Sequence, residues 1–156
     1  DINRNVQPGE AQLDEECIFN SLHLAQLCSE LEEFAEGTAT VVGERGVRLS
    51  GGQKQRLTIA RAIAKDPEIL IFDDAFSSVD AHTENQILQN LKQLMKGRTT
   101  IIISHRVTPV KDADLIVVIE AGRITEQGTH QQLLAKRGFY WRLYEQQQIL
   151  DKLERL

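Results

Sequence analysis

With 156 residues, the chain is long enough for one domain with a real core and short for two. It is 41% hydrophobic and 26% charged, as globular proteins are. Its net charge of −5, with no run of lysines or arginines, argues against a nucleic-acid surface.

The longest apolar stretches, such as Leu115 to Ile119, run to about five residues, against the roughly 18 that a spanning helix needs. Any link to a membrane must therefore come through a further segment or a partner chain. Asp1-Ile2-Asn3-Arg4 reads as neither a signal peptide nor a targeting sequence. Cys17 and Cys28 fall in one helical pattern, where they would stand ~16 Å apart on a continuous helix, beyond disulfide reach. Buried, reduced thiols are expected. His23, His82, His105 and His130 show no metal-ligand spacing, so no structural zinc is expected.

In chain order, residues 1–9 end in Pro8-Gly9 and read as a loop. From Ala11 to Phe34, Leu13, Cys17, Ile18, Leu22, Leu24, Leu27, Leu31 and Phe34 recur at helical spacing, giving one long or two short amphipathic helices. Glu36-Gly37-Thr38 breaks the pattern, and Gly43-Glu44-Arg45-Gly46 marks a tight loop. Ser50-x-x-Gln53 has the form of a capping box opening a helix that stops before Asp66-Pro67. Glu68 to Phe72, apolar after its first residue, suits a parallel strand covered on both faces. Ile87, Leu88, Leu91, Leu94 and Met95 then form one helical stripe within residues 81–96, closed by Gly97. Thr99 to Ile103 and Asp114 to Ile119 read as further buried strands, and Ala121-Gly122 turns the chain into another, Arg123 to Glu126. Thr129-x-x-Gln132 caps a short helix, and Gly138 to Leu156 forms a last amphipathic one. Alternation of strands and helices means α/β with a mainly parallel sheet.

Three strings carry chemistry. Leu49-Ser50-Gly51-Gly52-Gln53, followed by Lys54-Gln55-Arg56, sets two glycines at a helix start. Backbone N–H groups there lack intrahelical partners, the helix dipole is positive, and an anion meets no side chain. A plain capped helix after a glycine turn would give the same string. Asp73 and Asp74 end a buried strand, where open α/β sheets bind ligands and where the first carboxylate commonly holds Mg²⁺. An acidic turn capping the next helix would look alike. Ser104-His105 ends the next strand. A serine hydrolase is disfavoured because the nucleophile-elbow pattern G-x-S-x-G is missing.

Together, and in this order and spacing, the strings resemble the ATP-binding-cassette (ABC) family. Leu49 to Gln53 is similar to its signature, the strand ending in Asp73 to its Walker B, Ser77-Ser78-Val79-Asp80 to its D-loop, and His105 to its switch histidine. Thr40-Val41-Val42-Gly43-Glu44-Arg45-Gly46 resembles the TEVGERG loop of the family's exporters, which faces the coupling helices of the transmembrane domain. Gly122-Arg123-Ile124 through Leu134 resembles the exporters' ending. The likeness runs from about residue 1 to residue 145 and points to the bacterial multidrug or lipid half-transporter type.

There are three departures from the family pattern. No G-x-x-x-x-G-K-[ST] occurs in the sequence, and neither the adenine-contacting aromatic nor the Q-loop glutamine is present, as if the chain began just after the Q-loop. Asp74 stands where the family's catalytic glutamate does, and Val41 stands where the exporter loop has glutamate.

The resemblance implies part of a P-loop NTPase (RecA-like) core with a mainly parallel sheet, plus the ABC helical subdomain. Residues 1–65 would be the helical subdomain with the signature helix, 66–137 the later part of the α/β core, and 138–156 a terminal helix. It implies ATP and Mg²⁺ as ligands and export as the function. Asp73 would hold the metal, Asp74 orient or deprotonate the attacking water, and His105 contact the γ-phosphate. Asp80 would cross a dimer interface, and Ser50, Gly51, Gly52 and Gln53 would close over ATP held by the opposite subunit. A second nucleotide-binding domain and the coupling helices are the implied partners, without nucleic acid, at the cytoplasmic face of a bacterial inner membrane. An ABC ATPase acting on nucleic acid or ribosomes shares these motifs, and an inactive folded piece is a third alternative.

Overall fold

The computed structural model describes residues 1–7, 13–43 and 46–153. Pro8-Gly9, the start of the 11–34 pattern, Glu44-Arg45 and the end of the last helix lie outside them. The chain divides into two compact units, Asp1–Ile103 and Ser104–Leu156.

The first unit opens with a helix, α1 (Ile2–Val6), where the sequence reads as a loop. Asp1 caps it, its Oδ1 accepting from the Arg4 N–H at 2.7 Å, and Ile2 and Val6 are buried. Two apolar residues four apart are too few to declare a period, so only their packing against the rest of the unit defines this helix. Two short helices follow, α2 (Glu15–Leu24) and α3 (Cys28–Leu31). The break between them is a Schellman turn. The Gln26 N–H reaches the His23 carbonyl at 2.9 Å and the Leu27 N–H the Leu22 carbonyl at 3.0 Å, with Gln26 left-handed at φ 57°. Leu22 and Leu27 are both buried, completing the hydrophobic contact of that motif. Cys17 is exposed and Cys28 partly so, both as free thiols, which corrects the expectation of buried ones. The helix pattern places Cys17 beside the buried Ile18, on the outward face of α2.

The signature string opens α4 (Gly51–Ile63), which packs against α1 and α2 and buries Leu57, Ile59, Ala60 and Ile63. The chain then forms β1 (Ile69–Asp73), α5 (Ala81–Met95) and β2 (Thr99–Ile103). The strands pair in parallel, Ile69 opposite Thr99 through Asp73 opposite Ile103. Arg98 closes the base of this pair, bonding the Pro67 carbonyl at 3.0 Å and the Asp66 carboxylate. Leu70 and Phe72 enter a continuous core with Ile18, Leu22, Ile59, Ile87 and Leu91. The opposite face is bare: Ile69 and Ile71 are 61% and 59% exposed, and Ile101 and Ile103 are 46% and 50%. Burial on both faces, expected from the uniformly apolar run, is therefore not met among the described residues.

The second unit is built on an antiparallel hairpin, β3 (Ile116–Glu120) and β4 (Arg123–Gly128). Its two-residue turn, Ala121-Gly122, has φ of 50° and 75°, the positive pair of a type I′ turn. Among the named strands of the described residues, β1 and β2 thus pair in parallel and β3 and β4 antiparallel. Thr129 caps α6 (His130–Lys136) through a full capping box, and α7 (Phe139–Leu153) follows. Val107, Ile116, Val118, Leu133 and Tyr140 form a small core. His130 Nδ1 lies 2.7 Å from the Tyr140 hydroxyl, whose pKa is pushed up to about 12 by burial and then by neighbouring Tyr144. Among the described residues, no helix is long and apolar enough to cross a membrane.

Candidate functional site

The Ser50 cap is built as its sequence dictates. Ser50 Oγ accepts from the Gln53 N–H at 3.2 Å, and Gln53 Oε1 accepts from the Ser50 N–H at 2.8 Å. Gln53 therefore spends its carboxamide oxygen on the helix start. The N–H groups of Gly51 and Gly52 fall within the first turn, where no intrahelical carbonyl is available to them. A thirteen-residue helix adds its dipole at that end. This is an anion-binding arrangement by construction.

Asp73 and Asp74 lie at the carboxyl end of β1. Asp73 is exposed and Asp74 half-buried. The Asp74 N–H donates to the Ile103 carbonyl at 2.9 Å, carrying the parallel ladder one step past the strand. Asp74 itself is left-handed at φ 48°, a region that Asp and Asn tolerate better than most residues. That twist turns the chain into the loop Ala75 to Val79. The Asp74 carbonyl accepts from the Ser77 N–H at 3.3 Å and from Ser77 Oγ at 3.1 Å. Asp80 ends this loop as the N-cap of α5, accepting from the Thr83 N–H at 2.9 Å. That bond holds its carboxyl below the usual carboxylate range.

The donor set suits a hard cation. Mg²⁺ takes oxygen ligands, commonly one or two carboxylates, and completes its shell with waters and substrate phosphates. Among the described residues no group of three or more potential ligands occurs, so the fit is to a shared ion of this kind, not to a closed protein cage. Asp73 is the carboxylate that would hold it.

Within the first unit, the structure brings the signature turn and the acidic strand end together through one residue the sequence reading passed over, Gln55. Its Nε2 donates to Ser77 Oγ at 2.7 Å and to the Asp74 carbonyl at 3.3 Å, while its Oε1 accepts from the Ser78 N–H at 2.7 Å. Gly52 shares in the contact: a Cβ added there would stand 2.9 Å from the Ser78 carbonyl. Arg56 was passed over too. It bonds the Gln26 carbonyl at 2.5 Å and Glu30 Oε1 at 2.5 Å, fastening α4 to the α2–α3 turn. Both stand directly after the signature string, but no periodicity distinguishes a tertiary contact from a solvated polar residue. His105 belongs to the second unit, exposed, two residues past the end of β2. Beside it, Ser104 Oγ accepts from the Arg106 N–H at 2.9 Å, and Gln147 on α7 holds the Val107 N–H at 2.8 Å.

A helix start shaped for an anion, joined to a parallel strand that ends in two carboxylates, defines an α/β module with an anion-binding turn beside an acidic strand end. The ABC transporter family matches residues 5–77. Over 153 residues, 98% of the chain, it is 45% identical to a probable multidrug resistance ABC transporter ATP-binding/permease protein of Bacillus subtilis, covering 26% of that protein. Over 117 residues, 75% of the chain, it is 52% identical to an ATP-dependent lipid A-core flippase of Alkalilimnicola ehrlichii, covering 20% of it. A solved bacterial Atm1-family ABC exporter with ATP bound superposes with a TM-score of 0.86 at 38% identity, over 94% of this chain and 26% of that one. The chain belongs to the ABC transporter family. It spans about a quarter or less of the length of these relatives.

Proposed function

We propose that this chain is part of the ATP-binding and ATP-hydrolysing module of an ABC exporter. The observation that carries the reading is the bonded continuity from the Ser50-capped helix to the Asp73-Asp74 strand end. Each of those ends does one part of phosphate chemistry, and here they form a single body. Residues 1–65 correspond in this reading to the helical subdomain, 66–137 to the later α/β core, and 138–156 to a terminal helix.

Ser50, Gly51 and Gly52 offer N–H and O–H donors to the phosphates of an ATP held by a second nucleotide-binding domain, and Gln53 keeps that turn in shape. Asp74 orients the attacking water or takes its proton, and His105 contacts the γ-phosphate. Asp80 reaches toward the second domain from the start of α5. Asp73 would hold a Mg²⁺ ion, which when bound would supply neutralisation of phosphate charge. The likeness of the string Thr40 to Gly46 to the exporter loop supports contact with the coupling helices of a transmembrane domain, and with it a module at the cytoplasmic face of the membrane. The relatives named as a probable multidrug resistance ABC transporter and as a lipid A-core flippase support the transport setting.

The test is ATP turnover by the intact transporter in membranes or detergent. Asp73→Asn and His105→Ala should each lower kcat by about 10² or more, the scale at which a misplaced catalytic contact is felt. The 156-residue chain alone should show no turnover, because the phosphate-loop pattern is missing from its sequence. Unimpaired turnover in Asp73→Asn would sink the reading.

A further inference from the structure

We propose that Gln55 is a positioning residue that locks the Ser77–Asp80 loop onto the first turn of α4, so that the signature and the acidic strand end move as one body. The proposal rests on the ATPase reading above for its consequence in catalysis, but not for the lock itself.

The carboxamide is used at both ends. Its Oε1 receives the Ser78 N–H and its Nε2 serves the Asp74 carbonyl and Ser77 Oγ. Two of these partners are backbone groups whose roles are fixed, one donor and one acceptor, so the orientation of the amide is determined by chemistry. No other side chain of this length both donates and accepts in one plane. Ser77 Oγ relays the contact by donating to the same Asp74 carbonyl. The loop lies so close that a Cβ at Gly52 would meet the Ser78 carbonyl at 2.9 Å, whereas one at Gly51 would meet only ordinary contacts at 3.6 Å and beyond. Gln55 thus spans the loop from Asp74 to Ser78. The Ser77 bonds to Asp74 and the bond from the Val79 N–H to the Phe76 carbonyl run within the loop itself and shape its turn, whereas the Gln55 carboxamide reaches the loop from α4.

Gln55→Met keeps the length and helix propensity while removing both polar ends; Gln55→Glu keeps an acceptor for Ser78 and lets the Ser77 hydroxyl turn to donate. Amide hydrogen exchange of the 156-residue chain reads the lock directly. In Gln55→Met, Ser78 should exchange about tenfold faster, the scale of one lost hydrogen bond, while Ala60 and Ile63 in α4 keep their rates. Gln55→Glu should retain most of the protection. In the intact transporter, Gln55→Met should lower kcat about tenfold with little change in KM for ATP, because both ends of the Gln55 carboxamide are taken up by the loop, and Gln55→Glu should recover part of it. Unchanged Ser78 exchange in Gln55→Met would overturn the lock, as would equal acceleration throughout α4, which marks general loosening. Unchanged kcat beside faster Ser78 exchange would overturn the positioning role. A transporter without any ATP turnover before mutation would instead strike the functional reading, leaving the exchange rates to decide the lock.

Discussion

Among single residues, Asp74 carries the sharpest consequence. It stands where the family has glutamate, half-buried and left-handed at φ 48°. Aspartate keeps the charge but is one methylene shorter, so its carboxylate falls roughly 1 Å short, and a misplacement of that size costs ~10² in rate. The backbone works in the other direction: left-handed geometry is easier for Asp than for Glu, and strain there is of order 1–3 kcal/mol. Asp74→Glu should therefore raise turnover at the site containing it while lowering thermal stability by about 1 kcal/mol. With a complete signature on the same chain, the expected arrangement is a pair of unequal sites, one weak through Asp74 and one completed by the Ser50–Gln53 turn. Asp74→Ala should then leave much of the transporter's turnover, while breaking Ser50 and Gly51 abolishes it. A preparation containing only this chain type in which Asp74→Ala stops all hydrolysis would show that the aspartate suffices in a symmetric pair.

Among the elements, α4 is the one on which the first unit turns, and Arg56 is its fastener. Its guanidinium is 11% exposed and meets both the Gln26 carbonyl and Glu30, whose second carboxylate oxygen is buried without a hydrogen bond. Removing the cation strands a poorly solvated carboxylate, the costly half of a buried pair, whereas the 29% exposure of Glu30 lets water recover part of the loss. Arg56→Ala should destabilise the chain by about 2 kcal/mol in chemical denaturation, and Arg56→Lys should recover little because one ammonium cannot reach both partners in the fork geometry. A loss within ±0.5 kcal/mol would mean the fork contributes only at the level of a surface pair. The helix itself was legible: Ser50 and Gln53 form the capping box their spacing announces, and Asp66-Pro67 follows its end. What escaped was whatever tertiary contact decides. Helix α1 shows only Ile2 and Val6 on its buried side, and the α2–α3 break is made by Gln26 in a left-handed turn where no glycine or proline marks it. The uniformly apolar β1 reads as buried on both faces because sequence reports preference for burial, while cover depends on what else is present. The site was half legible in the same sense. Asp73, Asp74 and the Ser50 turn are local motifs, but the Gln55 contacts join residues 19 to 23 positions apart and leave no periodic trace.

For the whole molecule, uncovered apolar surface sets the behaviour in solution. In the first unit, Ile69, Ile71, Ile101 and Ile103 line one bare face of a two-stranded parallel pair whose outer edges meet no further strand among the described residues. In the second, Val117, Ile119 and Ile124 are exposed on the hairpin, and Ile149, Leu150 and Leu153 on α7. Contiguous apolar faces and open strand edges are both routes to association. The isolated 156-residue chain should therefore run as a dimer or larger assembly, by edge pairing or by exchange of elements. Because the isoleucines of β1 and β2 are about half exposed already, Ile71→Thr combined with Ile101→Thr should alter unfolding free energy by only about 0.5 kcal/mol each. The same pair should shift the assembly toward monomer, which separates a surface effect from a folding effect. Light scattering across a wide concentration range decides the matter: a steady monomer near 17.6 kDa for the unmodified chain would show that these faces do not drive association.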